Sequence, residues 1–143
     1  MNRCLVVNPE VCTGCNSCML TCSFTHEGYF SFSKSRMQIE KDEERAVSIP
    51  RVCIQCKDAP CIQVCSEEAL FKDKGTGAIM VDKDKCTGCK KCVKACPYGG
   101  IVFDEEGSMP LICDLCGGKP SCIEVCRFPQ AIKFKVKKEN DEK

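Results

Sequence analysis

The spacing of the cysteines constrains this chain more than any other sequence feature. Sixteen of the 17 cysteines fall into four groups of four, at residues 12–22, 53–65, 86–96 and 113–126, and Cys4 stands alone. Groups one and three have the form C-x2-C-x2-C-x3-C, whereas the middle gap widens to four residues in group two and to five in group four. The chain is therefore organised as a repeated cysteine unit and not around a large apolar core.

Composition favours a metal scaffold. Cysteine makes up 17 of the 143 residues, which exceeds the share at which a short chain is read as a disulfide or metal scaffold. The sequence shows no secretory or twin-arginine signal and no apolar run of about 18 residues, the length that a membrane span requires. We therefore expect a cytoplasmic protein without a membrane span, in which thiols stay reduced and bind metal in preference to forming disulfides.

The cysteine triplets predict iron–sulfur clusters. Three cysteines within seven residues can wrap one corner of a cubane and supply three of its four thiolates. The bacterial ferredoxin run C-x2-C-x2-C-x3-C-P gives its last cysteine to the neighbouring cluster, so two runs ligate two clusters reciprocally. Zinc also binds C-x2-C pairs, but it usually joins two separated pairs, and the triplets would crowd one tetrahedral ion. We predict four [4Fe–4S] clusters with the sixteen group cysteines as iron ligands.

Charge and motifs exclude several functions. The formal charge is +1 with every thiol neutral, and sixteen thiolates around four cores of about +2 each would bring the loaded protein to about −7. A nucleic-acid partner, which requires a basic surface, is not expected. The chain has no phosphate loop, no dinucleotide fingerprint and no Ser/His/Asp set. We predict a non-catalytic electron-transfer protein.

Short β-prone runs flank the cysteine groups. They lie at residues 5–7, 69–71, 78–81, 101–103 and 131–134. Residues 74–77 read as a turn between two of them, and the charged run at 41–45 reads as a solvated loop. Short helical turns are expected to begin near the third cysteine of each group and to carry the fourth on their exposed face.

The motifs resemble those of a known family. Over residues 1–135 the sequence resembles the four-cluster ferredoxin-type subunits of molybdenum and tungsten pterin oxidoreductases, found with formate dehydrogenase, dimethyl sulfoxide reductase and hydrogenase complexes. The run Ser-Phe-Thr-His-Glu-Gly at 23–28, with Ser35 and Arg36, is similar to the small subunits of tungsten aldehyde oxidoreductases and related benzoyl-coenzyme A reductases. The resemblance implies an α+β fold of two bacterial-ferredoxin-like 2[4Fe–4S] units, one inserted in the other, with short strands, short helices and little regular structure. Residues 1–50 plus 108–143 would form the outer unit and residues 51–107 the inserted one.

The same resemblance implies the ligand sets, because in this family group one pairs with group four and group two with group three. Carried over, the sets are Cys12, Cys15, Cys18 and Cys126 (site 1); Cys53, Cys56, Cys61 and Cys96 (site 2); Cys86, Cys89, Cys92 and Cys65 (site 3); and Cys113, Cys116, Cys122 and Cys22 (site 4). The runs at 5–7 and 131–134 can pair, which would close the outer unit around the inner one. Among the fourth cysteines, only Cys96 is followed by the proline usual in ferredoxin runs.

The function that this resemblance implies is the relay of single electrons. The clusters would connect a larger catalytic subunit, with a tungsten or molybdenum pterin, to ferredoxin or another electron carrier. Three alternatives remain open: a free-standing polyferredoxin shuttle, the iron–sulfur subunit of a hydrogenase or CO dehydrogenase complex, and a metal-stabilised interaction module without a redox role.

A few residues outside the ligand sets also drew predictions. His26, the single histidine, is expected to have a structural or interface role, with a hydrogen bond to a cluster sulfur as the alternative. Tyr29, Phe30 and Phe32 are expected to pack over a cluster, with docking onto a partner as the alternative. Cys4 is expected to be a small buried residue.

Overall fold

The computed structural model of the chain describes residues 2–128 and 130–137. Both ends of the predicted outer unit, residue 1 and residues 138–143, lie outside this range. The described part confirms the predicted mixture of short strands and short helices. In chain order the elements are β1 (Asn2–Val7), α1 (Ser17–Glu27), β2 (Gln38–Asp42), β3 (Val47–Arg51), α2 (Pro60–Val64), β4 (Leu70–Lys72), β5 (Ile79–Val81), α3 (Lys91–Ala95), β6 (Ile101–Asp104), β7 (Met109–Ile112), α4 (Ser121–Val125) and β8 (Ile132–Lys137).

The strands form two-stranded antiparallel ribbons, and one of these ribbons joins distant parts of the chain. The ribbon pairs are β1 with β8, β2 with β3, β4 with β5, and β6 with β7. In the first ribbon Leu5 lies opposite Phe134 and Val7 opposite Ile132. The predicted pairing of the runs at 5–7 and 131–134 is therefore confirmed.

The predicted turn at 74–77 is also confirmed. It joins β4 to β5, and the backbone N–H of Gly77 donates to the Asp73 carbonyl oxygen at 2.8 Å. The Asp73 carboxylate accepts from both the backbone N–H and the hydroxyl of Thr76, each at 2.9 Å. These hydrogen bonds are those of an Asx-type turn, which explains why this polar segment reverses the chain.

Two hairpins depart from the sequence reading. Lys41 and Asp42, expected in a loop, are the last two residues of β2, which pairs with β3. The Arg51 guanidinium on β3 reaches the Glu40 carboxylate on β2 at 2.6 Å, so charged side chains help to hold this hairpin together. Strand β7 was not predicted because it contains Pro110, which is tolerated in a two-stranded ribbon, where one edge has no partner strand.

Each helix begins one residue before the third cysteine of its group, as predicted. The position predicted for the fourth cysteine is wrong in three groups, where it is the first residue after the helix and has extended backbone; these residues are Cys65, Cys96 and Cys126. At Cys96 the following Pro97 disfavours helical backbone. In α1 the helix continues past Cys22 to Glu27 and ends at Gly28, whose left-handed backbone (φ 81°) suits glycine and whose N–H donates to the Phe24 carbonyl.

The interior is small, and cysteines make up much of it. Leu5, Ile79, Ile112 and Leu115 are the largest apolar side chains that are fully buried. Helix α1 packs against α4 and α2 against α3. The buried cysteines of the groups lie within this core, and they are Cys18, Cys53, Cys61, Cys92, Cys113 and Cys122.

A buried ion pair fixes the segment between α1 and β2. The Lys34 ammonium contacts both carboxylate oxygens of Asp104, at the end of β6, at 2.8 Å.

In the part of the chain that the structure describes, no helix is long and apolar enough to cross a bilayer.

Candidate iron–sulfur cluster sites

A cavity of about 340 Å³ lies where α1, the loop after β7 and α4 meet. Its wall includes all four cysteines assigned to site 4, which are Cys22, Cys113, Cys116 and Cys122. Apolar side chains, among them Leu5, Val52 and Leu115, surround the thiols. The structure thus brings cysteines from the first and the last groups to one enclosed space.

A second cavity, of about 390 Å³, lies beside α3. Its wall includes the four cysteines assigned to site 3, which are Cys65, Cys86, Cys89 and Cys92. Here Cys65 comes from group two and the other three from group three. The structure thus brings cysteines of two groups to one cavity wall here as well.

The thiols assigned to sites 1 and 2 also lie close together. Burial, followed by the negative charges of its neighbours, raises the pKa of Cys18 to about 12, and those neighbours are Cys12, Cys15 and Cys126. Burial raises the pKa of Cys53 to about 12 as well, and the charges that add to it are those of Cys61, Cys56 and Cys96. Each interacting set contains three cysteines of one group and the fourth cysteine of another.

The raised pKa values of the thiols indicate that the sites require a positively charged core. Burial, together with the charges of neighbouring thiolates, raises the pKa of Cys92 to about 11 and that of Cys122 to about 12. Four such thiols ionise together only when a cationic core compensates their charge, and a metal core does so. The donor sets therefore fit iron–sulfur clusters.

An unpartnered buried atom supports the same conclusion. The Nε atom of Arg36 is buried and has no hydrogen-bond partner among the described residues. Arg36 is part of the wall of the site 4 cavity. An orphaned buried donor costs about 1–3 kcal/mol, and the sulfur atoms of a cluster in this cavity are acceptors that would remove that cost.

The loop between the first two cysteines has the same backbone in every group. Its second residue has a left-handed φ, which is 73° at Gly14, 55° at Gln55, 74° at Gly88 and 59° at Leu115. Gln55 and Leu115 are almost completely buried, so packing holds these two non-glycine residues in a strained conformation. Left-handed residues in such loops form concave nests of N–H groups, which bind sulfur clusters and other anions.

The third cysteine of each group is also influenced by the backbone that follows it. The N–H of the next residue lowers the pKa of the thiol, against the larger effect of burial, at Met19, Ile62, Val93 and Ile123. These residues lie in the first turn of their helices, so the start of each helix places a backbone N–H beside a thiol.

Three of the four fourth cysteines also accept hydrogen bonds from the backbone. The Sγ of Cys65 accepts from the N–H of Ala69, and that of Cys96 from the N–H of Gly100, both at 3.3 Å. The Sγ of Cys22 accepts from the N–H of Arg36 at 3.3 Å, from a segment well outside its own group.

His26 adds a side-chain network at Cys22. Its Nδ1 lies 2.8 Å from the Cys22 carbonyl oxygen and 3.8 Å from the Cys22 Sγ, while its Nε2 lies 2.9 Å from the Asp114 Oδ1. The hydrogen bond to Asp114, and then that to Cys22, raises the pKa of His26 to about 10. Burial alone would raise the pKa of Asp114, but His26 and Arg36 hold it at about 2. His26 therefore links α1 to the loop after β7 and also faces the thiol of Cys22.

Two functional residues were missed by sequence reasoning. Asp114 stands between Cys113 and Cys116, where the other groups carry Thr or Ile, and this difference was the available signal. Gln55 is buried between group two and group four, and nothing in its own sequence context marks it.

The prediction for the aromatic residues is wrong. Tyr29, Phe30 and Phe32 are exposed, and Phe30 stacks on exposed Phe24 with ring centroids 4.9 Å apart instead of packing over a cavity. Cys4 is buried, as predicted.

Charge interactions between thiols link the four assigned cysteine sets to one another. The interacting pairs are Cys18 with Cys122 (sets 1 and 4), Cys113 with Cys53 (sets 4 and 2), and Cys92 with Cys61 (sets 3 and 2). These pairs connect the sets in the order 1, 4, 2, 3. Cys15 in site 1 and Cys89 in site 3 are exposed.

Similar proteins carry iron–sulfur domains. The chain is 40% identical over 122 residues to the "aliphatic sulfonate oxidoreductase, polyferredoxin-like subunit" of Pyrococcus furiosus, a match that covers 85% of this chain and 70% of that protein. It is 32% identical over 138 residues to the "putative electron transport protein YsaA" of Escherichia coli, with 88% of this chain and 85% of that protein covered. With formate hydrogenlyase subunit 2 of the same species, the identity is 37% and the chain spans 52% of the relative.

The fold has a counterpart among solved structures. A chain of the active site complex BamBC of benzoyl coenzyme A reductase superposes with a TM-score of 0.56 at 21% identity, covering 93% of this chain and 78% of that one. Residues 9–25 match the family model for a 4Fe-4S binding domain, and residues 44–137 match that for a 4Fe-4S dicluster domain. The second match covers most of the chain, includes three of the four cysteine groups and agrees with the converging thiols, so the chain belongs to the 4Fe-4S dicluster domain family.

Proposed function

We propose that this chain holds four [4Fe–4S] clusters and relays single electrons as the non-catalytic iron–sulfur subunit of an oxidoreductase complex. The proposed ligands are the sixteen cysteines of sites 1 to 4 as defined above. Bound clusters would supply one-electron redox chemistry at these sites. The residues of the chain would fix the distances between sites and set potentials through burial and hydrogen bonds to sulfur.

The electrostatic interaction between thiols of different cysteine sets is the observation that carries this proposal. Neighbouring sites are linked by thiols close enough to interact, and both terminal sites have an exposed cysteine, Cys15 at one end and Cys89 at the other. Electrons can therefore enter at one end and leave at the other. The inner sites 4 and 2 are shielded, with Cys113 and Cys53 buried.

The proposed architecture is a ferredoxin-like α+β fold in which residues 51–107 form one unit inserted into another. The outer unit, residues 1–50 plus 108–143, would be closed by the β1–β8 ribbon and by the packing of α1 on α4. The inner unit would be centred on α2 and α3, which pack together. The boundaries fall within the two hairpins that connect the units, β2–β3 and β6–β7.

The proposed partners are a larger catalytic subunit, with a tungsten or molybdenum pterin, and ferredoxin or another electron carrier. One relative is named as the polyferredoxin-like subunit of an oxidoreductase, and the fold matches a chain of a reductase complex. These names support a subunit role. The complex would be cytoplasmic, and neither nucleic acid nor a membrane would be a partner.

A free-standing electron shuttle is the second candidate. The exposed cysteines at both ends suit a protein that meets two partners in turn, and one relative is named as a putative electron transport protein. Copurification separates the two candidates, because a shuttle keeps no fixed partner.

The test is the content of iron, zinc and acid-labile sulfide per chain in native protein purified anaerobically, together with the identity of any copurifying polypeptide. We expect about 16 iron and about 16 sulfide, with a large partner that contains tungsten or molybdenum. Full metal content without a partner would favour the shuttle. Copurification with hydrogenase or CO dehydrogenase would change the enzyme class, and zinc without sulfide would overturn the proposal.

A further inference from the structure

Site 4 differs from sites 2 and 3 in the groups that face its fourth cysteine. Cys65 and Cys96 each accept a backbone N–H from four residues further along. Cys22 accepts the backbone N–H of Arg36 and also faces the imidazole of His26, with Nδ1 and Sγ 3.8 Å apart. Within residues 2–128 and 130–137, Cys22 is the one of these three cysteines to which a side chain is hydrogen-bonded.

The surroundings of His26 leave both of its ring nitrogens facing acceptors. Nε2 faces the Asp114 carboxylate at 2.9 Å, and Nδ1 faces the Cys22 carbonyl oxygen at 2.8 Å. The imidazole therefore bridges the Asp114 carboxylate to the carbonyl oxygen and the thiol of Cys22. Asp114 holds it in place and is itself fixed by the backbone N–H of Cys116 at 2.9 Å.

Arg36 adds a permanent cation to the same site. Its guanidinium lies 3.4 Å from the Asp114 carboxylate and donates to the Ile112 carbonyl at 3.0 Å. Its buried Nε has no acceptor among the described residues, and the side chain is part of the cavity wall. The Arg36 guanidinium and the His26 imidazole, both in contact with the Asp114 carboxylate, therefore form one side of site 4.

We propose that His26 and Arg36, both oriented by Asp114, are positioning residues that give the cluster in site 4 a higher reduction potential than the clusters in sites 2 and 3. Reduction adds negative charge to a cluster, and nearby cations and donors to sulfur favour the more negative state. This inference rests on the proposed function, because it requires a cluster in site 4. An electron on the chain would then be held preferentially by the cluster in site 4, which lies between sites 1 and 2 in the proposed order.

The single histidine of the chain makes a direct measurement feasible. The full chain, with any partner that copurifies, is labelled with ¹⁵N-histidine, loaded, reduced and examined by pulsed electron paramagnetic resonance. We expect weak ¹⁵N coupling on one cluster signal, from an imidazole hydrogen-bonded to a ligand sulfur. Absence of coupling would overturn the inference. The ligating atoms of His26, Asp114 and Cys116 lie within 4.8 Å of one another, so strong coupling would instead identify His26 as an iron ligand and would equally overturn it.

Redox titration of two variants provides the second measurement. His26→Leu removes the imidazole and its hydrogen bond to Cys22, and Arg36→Lys keeps the cation but removes Nε. We expect each variant to lower the midpoint potential of the same cluster, the one with the ¹⁵N coupling, and to leave the other midpoints unchanged. Glu27→Gln is the matched control, because it changes one unit of charge at the exposed neighbour of His26 and is expected to shift nothing.

Unchanged potentials in both variants, or an equal shift of all the clusters, would overturn the inference. Iron and sulfide contents separate its failure from that of the proposed function, because full contents with unshifted potentials reject only the role of His26 and Arg36. If a variant fails to load, the ¹⁵N measurement on the unmodified chain still decides the question.

Discussion

The side-chain amide of Gln55 donates a hydrogen bond of 2.7 Å to the carbonyl oxygen of Cys113, which joins group two to group four across the middle of the molecule. The amide oxygen of Gln55 accepts from the backbone N–H of Ile79 at 2.8 Å, so both ends of this buried side chain are used. One side chain thus fixes the spacing between two candidate cluster sites, since Cys53 belongs to site 2 and Cys113 to site 4.

Gln55→Leu is expected to destabilise the loaded protein. The substitution keeps the size of the side chain but orphans the Cys113 carbonyl and the Ile79 N–H, at a cost of about 1–3 kcal/mol for each group. The measurement is the temperature at which the visible absorbance of the clusters is lost under anaerobic conditions. Gln130→Leu, at an exposed glutamine outside the cysteine groups, is the control and should lose its absorbance at the wild-type temperature. Equal behaviour of the two variants would contradict the role of Gln55.

Gly100→Ala is expected to prevent loading of site 2. A Cβ at this position would lie 2.8 Å from the Cα and 2.9 Å from the nitrogen of Cys53, and these backbone atoms cannot move away without displacing the ligand. The N–H of Gly100 also bonds to Cys96, another ligand of that site. Metal analysis should find about 12 iron per chain in place of about 16.

Gly75→Ala is the matched control for this experiment. Its Cβ would lie 3.3 Å from the Asp73 Oδ2, in a turn that contains no proposed cluster ligand, so any strain would not reach a site. Full iron content in both variants would contradict the placement of Gly100 against a cluster ligand.

Cys65→Ser is expected to damage site 3, although Cys65 belongs to group two. Cys65 lies in the wall of the cavity formed with Cys86, Cys89 and Cys92. Its electron paramagnetic resonance spectrum should therefore match that of Cys89→Ser and differ from that of Cys56→Ser. If Cys65→Ser matches Cys56→Ser, each group ligates its own cluster and the reciprocal assignment is wrong. Cys4→Ala, outside all four groups, should retain the full iron content.

Removal of iron is expected to unfold the chain. Backbone ordering costs about 1–2 kcal/mol per residue. The buried cysteines make up much of the interior, and their thiolates stay buried only when a bound metal core balances their negative charge. Anaerobic chelation followed by circular dichroism measures this, and restoring iron and sulfide should restore the native signal. A native-like spectrum of the metal-free chain would refute the coupling of folding to cluster assembly.

Sequence reasoning succeeded where cysteine spacing or β-branched residues gave a signal. The β1–β8 and β4–β5 ribbons were expected from short apolar runs, and the helix starts were expected from the third cysteine of each group. The length of α1 was missed because Cys22 was read as the end of a short turn. The residues after it contain no helix breaker before Gly28, which is the stop signal that the reading overlooked.

The missed features depend on contacts between distant parts of the chain. Strand β2 contains charged residues that local patterns assign to a loop, and it forms because Arg51 on β3 reaches Glu40. The role of Asp114 depends on His26, which lies 88 residues earlier. The spacing of the cysteines predicts which atoms bind metal. The contacts of Arg51 with Glu40 and of Asp114 with His26 can be identified only from the folded structure.

The pairing of β1 with β8 has a consequence for biosynthesis. Translation proceeds at about 5–20 residues per second, and β1 leaves the ribosome long before its partner strand exists. Helices α2 and α3 emerge closer together and can meet while the nascent chain is still growing, whereas α1 must wait for α4. During that interval the thiols of group one are exposed to oxidation and to the wrong metals. Metal insertion would therefore begin in the middle of the nascent chain and finish at its two ends.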